Sequence, residues 1–387
     1  MGIMEPVFWI AVSLIVYTYV IYPFLLLFIN FLFSKLRKMH PVVKEENFLP
    51  SVSLIISAYN EERTIANKLN NCLTLDYPKD KLEVIVGSDG STDATDRIVE
   101  EYKFKGVKLY RFESRIGKVN VLSKLISYAK GDIIIFSDAN SIYNPLAIKE
   151  LVKHFADPFI GCVCGRLILV KPEESAGGEL ESLYWRYETF LKKIEGNLGI
   201  LLGANGGIYA IRKKLFTPPP SDTIVEDFVI PMKILEQGYK VIYEPKAVAF
   251  EETSKNISEE RKRKVRIGAG DYQALLLTSS MLNIFKGLPS FAYWSHKVFR
   301  WFVPFLLIIA LTTNLLLIEK TFYRILFLIQ ITGYIGSLIG YIALKYKKYQ
   351  IRLFTLLYYF VSMNWALLVG FFKFITGTQK VTWEKVR

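Results

Sequence analysis

Four long uncharged apolar stretches constrain this chain more than any other feature. Val7–Phe33 runs 27 residues without Asp, Glu, Lys or Arg; at about 1.5 Å per residue such a helix exceeds a hydrocarbon core of about 30 Å. It is too long for the apolar part of a secretory signal, and no small-residue cleavage site follows, so it reads as a retained anchor, kinked at Pro23. Trp301–Ile318, Ile325–Leu344 and Leu353–Phe372 are uncharged runs of 18–20 residues, the length that spans a bilayer. A buried core helix is the alternative for any one of them and a poor account of four. Gly336 and Gly340 stand at the spacing that lets helices approach closely, or match it by chance.

Basic flanks orient the spans. Only Glu5 precedes the first, whereas Lys35, Arg37 and Lys38 follow it, which places the middle of the chain in the cytoplasm; the basic loop Lys345–Arg352 agrees. Four crossings would leave Lys380, Lys385 and Arg387 outside, against the same rule, so either one C-terminal stretch is re-entrant or the tail is an exception. Ser279–Arg300 mixes Phe285, Trp294 and Phe299 with Lys286, Lys297 and Arg300, the pattern of an interfacial helix or of a plain linker. The organisation expected is an anchor at 1–34, a catalytic domain at 49–278, an interfacial segment at 279–300, transmembrane helices at 301–376 and a tail at 377–387.

Composition enters as a puzzle: a net charge of +13 beside a mean hydropathy of +0.26 is odd for one soluble domain. It excludes disorder and collagen-like repeats. Three cysteines and three histidines provide neither a disulfide scaffold nor a zinc framework.

Between Leu49 and Ser279 the pattern becomes short apolar runs alternating with amphipathic ones. Ser51–Ser57, Leu82–Ser88, Val107–Phe112 and Ile133–Ser137 read as buried strands; Glu61–Thr74, Thr92–Tyr102 and Gly117–Lys130 read as helices. Such alternation predicts a parallel α/β sheet whose ligands bind beyond the carboxyl ends of its strands. Those ends are Ala58-Tyr59-Asn60-Glu61-Glu62, Asp89-Gly90-Ser91-Thr92-Asp93 and Asp138-Ala139-Asn140. Each alone reads as a helix cap, and Asp93 as a first-turn helix acid; three acidic exits on one edge favour a ligand site. Gly203-Ala204-Asn205-Gly206-Gly207, before the strand Ile208–Ile211, is a tight turn or a place of close backbone approach. Glu226-Asp227 opens the helix Phe228–Gln237, either as helix-terminal acids or as a general base. Arg261–Arg266 packs five cations into six residues, a solvated face or a lipid contact; next to a membrane segment it argues against nucleic acid.

In order and spacing, AYNEE, DGSTDAT, DAN, GANGG and ED resemble the membrane-embedded family-2 glycosyltransferases, the group of the cellulose, chitin, hyaluronan and poly-N-acetylglucosamine synthases. The resemblance covers about Leu49 to Leu276 and the flanking spans. It implies a GT-A fold, a Rossmann-like mixed and mostly parallel sheet, with one N-terminal and about three C-terminal transmembrane helices. It also implies inverting transfer of a sugar from a nucleotide-sugar, a UDP-hexose or UDP-HexNAc, with Mg²⁺ or Mn²⁺.

By position, Ala58, Tyr59 and Glu61 would line the nucleoside pocket, Asp89 would contact the uridine and Lys118 would approach the same nucleotide. Asp138 and Asn140 occupy the D-x-D metal element, where Asn replaces the second Asp with a neutral, weaker ligand. Gly203, Ala204, Asn205, Gly206 and Gly207 would floor the acceptor site. Asp227, with Glu226 beside it, matches the catalytic base. The family's Q-x-x-R-W element becomes Arg263-Lys264-Val265-Arg266-Ile267. Arg266 would stabilise the departing diphosphate and Arg263 would face the nucleotide-sugar. The missing Trp speaks against processive synthesis unless Tyr272 or Trp294 substitutes, while Thr382–Arg387 resembles tails of bacterial exopolysaccharide members.

The resemblance thus implies a multi-pass protein of the cell membrane whose catalytic domain lies in the cytoplasm. Its implied partners are a nucleotide-sugar donor, a growing polysaccharide or lipid-linked saccharide as acceptor, membrane lipids, and an export or assembly partner, with no nucleic acid. The alternatives are single-sugar transfer to a lipid, such as a polyprenyl phosphate or diacyl lipid, and a non-catalytic nucleotide-sugar-binding scaffold. Retention of Asp89, Asp138, Asp227 and Arg266 argues against the scaffold.

Overall fold

A computed structural model describes residues 2–37, 48–170, 178–252, 257–346 and 352–380; the tail Thr382–Arg387 lies outside them. Helix α1 (Met4–Val16) passes through a π-helical turn, Tyr17–Ile21, into α2 (Tyr22–Arg37). The irregular turn falls just before Pro23, whose missing N–H cannot complete the regular ladder. The catalytic domain follows: β1 (Val52–Ala58), α3 (Ile65–Leu73), β2 (Leu82–Asp89), α4 (Thr95–Glu101), β3 (Val107–Phe112), α5 (Lys118–Tyr128), β4 (Ile133–Asp138), β5 (Ile142–Tyr143), α6 (Ala147–Val152), β6 (Ile160–Val170), α7 (Gly178–Leu198), β7 (Tyr209–Arg212), α8 (Glu226–Glu236), β8 (Lys240–Glu252) and α9 (Ile257–Leu277). Four more helices complete the chain: α10 (Leu288–Ala292), α11 (Phe299–Leu316), α12 (Thr321–Lys345) and α13 (Arg352–Ile375).

The strands form one sheet in the order β3-β2-β1-β4-β7-β6-β8-β5. The first four are parallel, β7 is antiparallel to both its neighbours, and β6 and β8 run parallel. The register sets the site: Ser57 pairs with Asp138 and Ala58 with Ser88, so three acidic strand exits share one edge. β1 and β4 can lie at the centre because their apolar runs (Leu54, Ile55, Ile56; Ile133, Ile134, Ile135) bury residues on both faces. Helices α3, α4 and α5 begin one to four residues later than the hydrophobic pattern predicts, whereas α8 begins two residues earlier and takes in Glu226 and Asp227.

Four helical stretches, Met4–Lys35, Leu288–Leu316, Thr321–Lys345 and Arg352–Ile375, are long and apolar enough to cross a membrane, so this is a membrane protein. The second starts well before Trp301, where the uncharged run begins. Its helix tolerates His296, Lys297 and Arg300 through a π-helical turn at Tyr293–Val298 and through carboxylates facing it from α7. The Tyr22 hydroxyl donates to Glu195 at 2.8 Å, the His296 Nδ1 lies 2.6 Å from the same Glu195 oxygen, and Arg300 pairs with Glu188. Burial alone would raise the Glu188 carboxyl; Arg300, Lys297 and His296 outweigh it and hold the group well below the usual range. This buried polar layer welds α2 and the second stretch to the α/β domain. Upstream of it, Ser279–Lys286 forms two short 3₁₀ turns that leave Ile284 and Phe285 exposed.

The glycine pair at Gly336 and Gly340 is a packing device. A Cβ on Gly340 would collide with the backbone carbonyl of Phe354 in α13, and one on Gly336 would press on Leu357 and Phe354. Gly340→Leu is expected to destabilise the chain by about 1–3 kcal/mol through overpacking, read as a lower melting temperature in detergent. An unchanged melting temperature would mean that α12 and α13 do not pack this way.

Candidate active site

Lys118 opens α5 and sits at the meeting point of three sequence elements. Its ammonium lies 2.7 Å from Asp138 Oδ1, at the end of β4, and 2.8 Å from Glu226 Oε1, at the start of α8. Burial would lower the Lys118 ammonium; Asp138, Glu226 and Asp227 together reverse this and raise it. Asp227 follows Glu226 on the same helix turn. Burial, then the neighbouring Glu226 charge, push its carboxyl up to about 6, with Lys118 pulling the other way. A carboxylate held there exchanges a proton near neutral pH, as a general base must.

The glycine-rich turn packs directly on this acid. The Ala204 N–H donates to the Asp227 carbonyl at 2.8 Å, and a Cβ on Gly206 would stand 3.1 Å from Asp227 Oδ2. A Cβ on Gly207 would stand 2.5 Å from the Ser141 hydroxyl, so only glycine lets this turn and the D-A-N turn meet. Gly203 takes φ +83 against Phe228. Asn205 anchors the turn: its amide donates to the Gly165 carbonyl at 2.7 Å and its oxygen accepts from Lys192 at 2.5 Å. The turn, the D-A-N exit and the Glu-Asp pair therefore form one site.

The other two exits hold loops. The Asp89 carboxylate accepts from the Ile116 and Gly117 N–H groups at 2.6 and 3.1 Å, fixing the approach to Lys118. Asp93 lies two residues before α4 rather than in its first turn, and its carboxylate accepts from the Thr95 N–H at 3.0 Å and the Glu62 N–H at 3.3 Å. Glu61 is buried and accepts from the Thr64 hydroxyl at 2.7 Å; Ala58 is buried beneath it. Tyr59 presents its ring to the Arg115 guanidinium at 3.9 Å, a flat stack beside the exit of β1.

The basic run divides. The Arg263 guanidinium forks onto Glu260 with both contacts at 3.0 Å along α9. Arg266 is half-buried and, among the described residues, held by no hydrogen bond or ion pair. Both aromatics weighed against the missing Trp bond backbone carbonyls. The Tyr272 hydroxyl donates to the Trp301 carbonyl at 2.5 Å in a buried contact, and the Trp294 indole donates to the Leu282 carbonyl at 3.0 Å.

Two lysines escaped the sequence reading. Lys68 is fully buried, donates to the Ser141 carbonyl at 2.5 Å and lies 3.9 Å over the Tyr143 ring, pinning the D-A-N turn from behind. Lys192 holds Asn205 from α7. Both sit on amphipathic helices, and no local pattern marks them.

For a divalent cation the donor set is lean. Among the described residues no group of three or more His, Cys, Asp or Glu side chains has metal-holding geometry. Asp138 is one carboxylate, about a third exposed, which fits an ion that takes its remaining oxygens from a diphosphate and water. Asn140 fits less well: its buried amide nitrogen lacks an acceptor, and an N–H donor suits a phosphate oxygen rather than a cation.

Residues 53–216 match the sequence family described as glycosyl transferase family 2. The chain is 27% identical over 236 residues to the poly-beta-1,6-N-acetyl-D-glucosamine synthase of Staphylococcus aureus strain COL, covering 59% of this chain and 56% of that protein. Against the Staphylococcus epidermidis synthase it is 27% identical over 244 residues, covering 61% and 58%. The chain thus spans somewhat over half the length of these relatives. Among solved structures, the mannosyltransferase PcManGT from Pyrobaculum calidifontis, in complex with GDP-Man and Mn²⁺, superposes with a TM-score of 0.69 at 22% identity, covering 95% of this chain and 99% of that one. The order of strands, the acidic edge and the sequence match agree: residues 53–216 have the sequence pattern of glycosyl transferase family 2, on a fold like that of the archaeal mannosyltransferase.

Proposed function

We propose that the chain is an inverting glycosyltransferase that moves a sugar from a nucleotide-sugar to a hydroxyl of a saccharide or lipid-linked acceptor at the cytoplasmic face of the membrane. The observation that carries this reading is the Lys118 ammonium shared by Asp138 and Glu226 with Asp227 alongside, at the carboxyl edge of the sheet. In this reading Asp227 takes the proton from the acceptor hydroxyl as that oxygen attacks the anomeric carbon. Lys118 and Arg266 offer cations to the leaving diphosphate, and the unpaired state of Arg266 suits a group kept for an anionic ligand. Tyr59 and Ala58 border the nucleoside, and the Asn140 amide donates to a phosphate oxygen. Asp89 acts on the nucleotide through the loop it holds. Mg²⁺ or Mn²⁺ would be held by Asp138 together with the diphosphate and would neutralise charge on the leaving group.

The staphylococcal relatives are named for making a polymer, which favours elongation and a HexNAc donor. Ile267 in place of the Trp favours the second reading, a single transfer to a lipid, since among the described residues Tyr272 and Trp294 both spend their polar atoms on backbone carbonyls. Purified protein in detergent, given UDP-glucose, UDP-N-acetylglucosamine, UDP-galactose, UDP-glucuronate and GDP-mannose in turn, is expected to release nucleotide from at least one; release from none overturns the enzyme reading. Sizing the radiolabelled product then separates the acceptors: a ladder or high polymer supports elongation, and one organic-soluble species supports the lipid.

A further inference from the structure

Helix α13 has the length and composition of a membrane span, yet its contacts with the other spans gather toward the end near the α/β domain. The helices before it give the ruler. At the end far from the catalytic domain, Lys320 pairs with Glu5, and Phe8 and Ala11 pack with Ala310, Leu317 and Tyr323. At the near end, Tyr17 meets Ser295 and Phe299, and Tyr22 meets Glu195. Helix α12 starts at the far end, so Gly340 sits about 28 Å along it, back at the near end.

Along α13, Phe354 packs on Gly340, the Phe360 ring lies 5.5 Å from Tyr19, and the Phe371 ring lies 4.7 Å from Phe305 and 5.0 Å from Tyr272. Phe305 is only about 9 Å into α11 from Phe299. Between Phe354 and Phe371 a helix advances about 25 Å, and a crossing helix would by then have reached the level of Phe8 and Ala310. The cluster at that level contains no residue of α13.

Instead α13 runs alongside α9. The Lys264 ammonium lies 5.1 Å from the Tyr359 ring, Gly268 abuts the backbone of Ala366, and Gly370 abuts Gly268 and Ala269. A helix flanked along its first half by Arg261 and Lys264 is a poor resident of hydrocarbon. Where neither α9 nor α12 covers it, its surface is apolar and open: Leu353, Leu356, Trp365, Phe372 and Ile375 are each 50–61% exposed. Arg352 and Lys373 border that face, the arrangement of a helix seated among acyl chains and anionic headgroups.

We propose that α13 lies in the plane of the leaflet nearest the catalytic domain, its open face in the acyl chains and its opposite face carrying α9. The chain then crosses the membrane three times, and residues after Ile375 stay on the side of the catalytic domain. This concerns sides relative to that domain and holds whatever sugar is transferred.

The test is labelling of single-cysteine reporters by a membrane-impermeant maleimide, in intact cells and in inside-out vesicles of full-length protein. The native Cys72, Cys162 and Cys164 are buried and give little background. Glu319→Cys reports the far side and Phe104→Cys, at a position 99% exposed, reports the catalytic domain. Thr378→Cys is expected to label with Phe104→Cys and not with Glu319→Cys, with at least a tenfold difference between the two preparations. Labelling of Thr378→Cys together with Glu319→Cys, or equally from both sides, overturns the proposal. Lys380→Cys is the second reporter should Thr378→Cys fail to accumulate, and the same outcomes decide it.

Discussion

Asp227→Asn is expected to lower kcat by at least about 10²-fold, the low end of what a general base contributes, while leaving the affinity for UDP within a factor of two. The same variant should be more heat-stable at pH 7–8. The Asp227 carboxyl sits at about 6 in the folded chain, against about 3.9 when unfolded. The folded state therefore binds the proton more tightly; that contribution is complete below about pH 4 and is lost as pH rises through 6. Asn is uncharged throughout, so the melting temperature of the variant should exceed that of the parent above pH 6 and converge with it below pH 4. For the parent, kcat should rise with pH through about 6 and then level. Substantial turnover by Asp227→Asn would remove this residue from the role of base.

Lys118→Met should cost about as much activity by a different route. Its ammonium is shared by Asp138 and Glu226, so its loss leaves carboxylates facing one another with no cation between them. Breaking a buried pair costs about 3–5 kcal/mol; Lys118 keeps 22% exposure, which places the loss at the lower end. The donor KM should rise, kcat/KM should fall at least about 10²-fold, and the acid limb of the pH profile should move above 6, because the cation that lowers the Asp227 carboxyl has gone. Adding Glu226→Gln should recover part of the stability by removing one of the repelling charges. An unmoved acid limb with an unchanged KM would show that Lys118 does not couple these acids.

Much of this site was legible because its chemistry sits where apolar runs stop. The strands at Leu54–Ile56 and Ile133–Ile135 announce themselves, and the acids that follow must lie at their carboxyl ends. The Glu226-Asp227 pair and the glycine turn declared themselves as local patterns. What stayed hidden depended on partners distant in the chain. Glu188, Lys192 and Glu195 make α7 read as a solvated helix, because the groups that satisfy them, His296, Arg300 and Asn205, lie in other elements. Lys68 reads as a surface cation until Ser141 and Tyr143 are seen to enclose it.

The bond between Tyr22 and Glu195 joins residues 173 apart in sequence, and this has a consequence for how the protein is made. A chain growing at about 5–20 residues per second leaves the first helix in the membrane for roughly 10–35 s before its partner is synthesised. The Tyr22 hydroxyl must find water or a lipid headgroup in that interval, and His296 arrives later still. The catalytic domain can settle onto its helices only near the end of translation, so a ribosome stalled before Arg300 should hold a nascent chain whose soluble part remains open to protease.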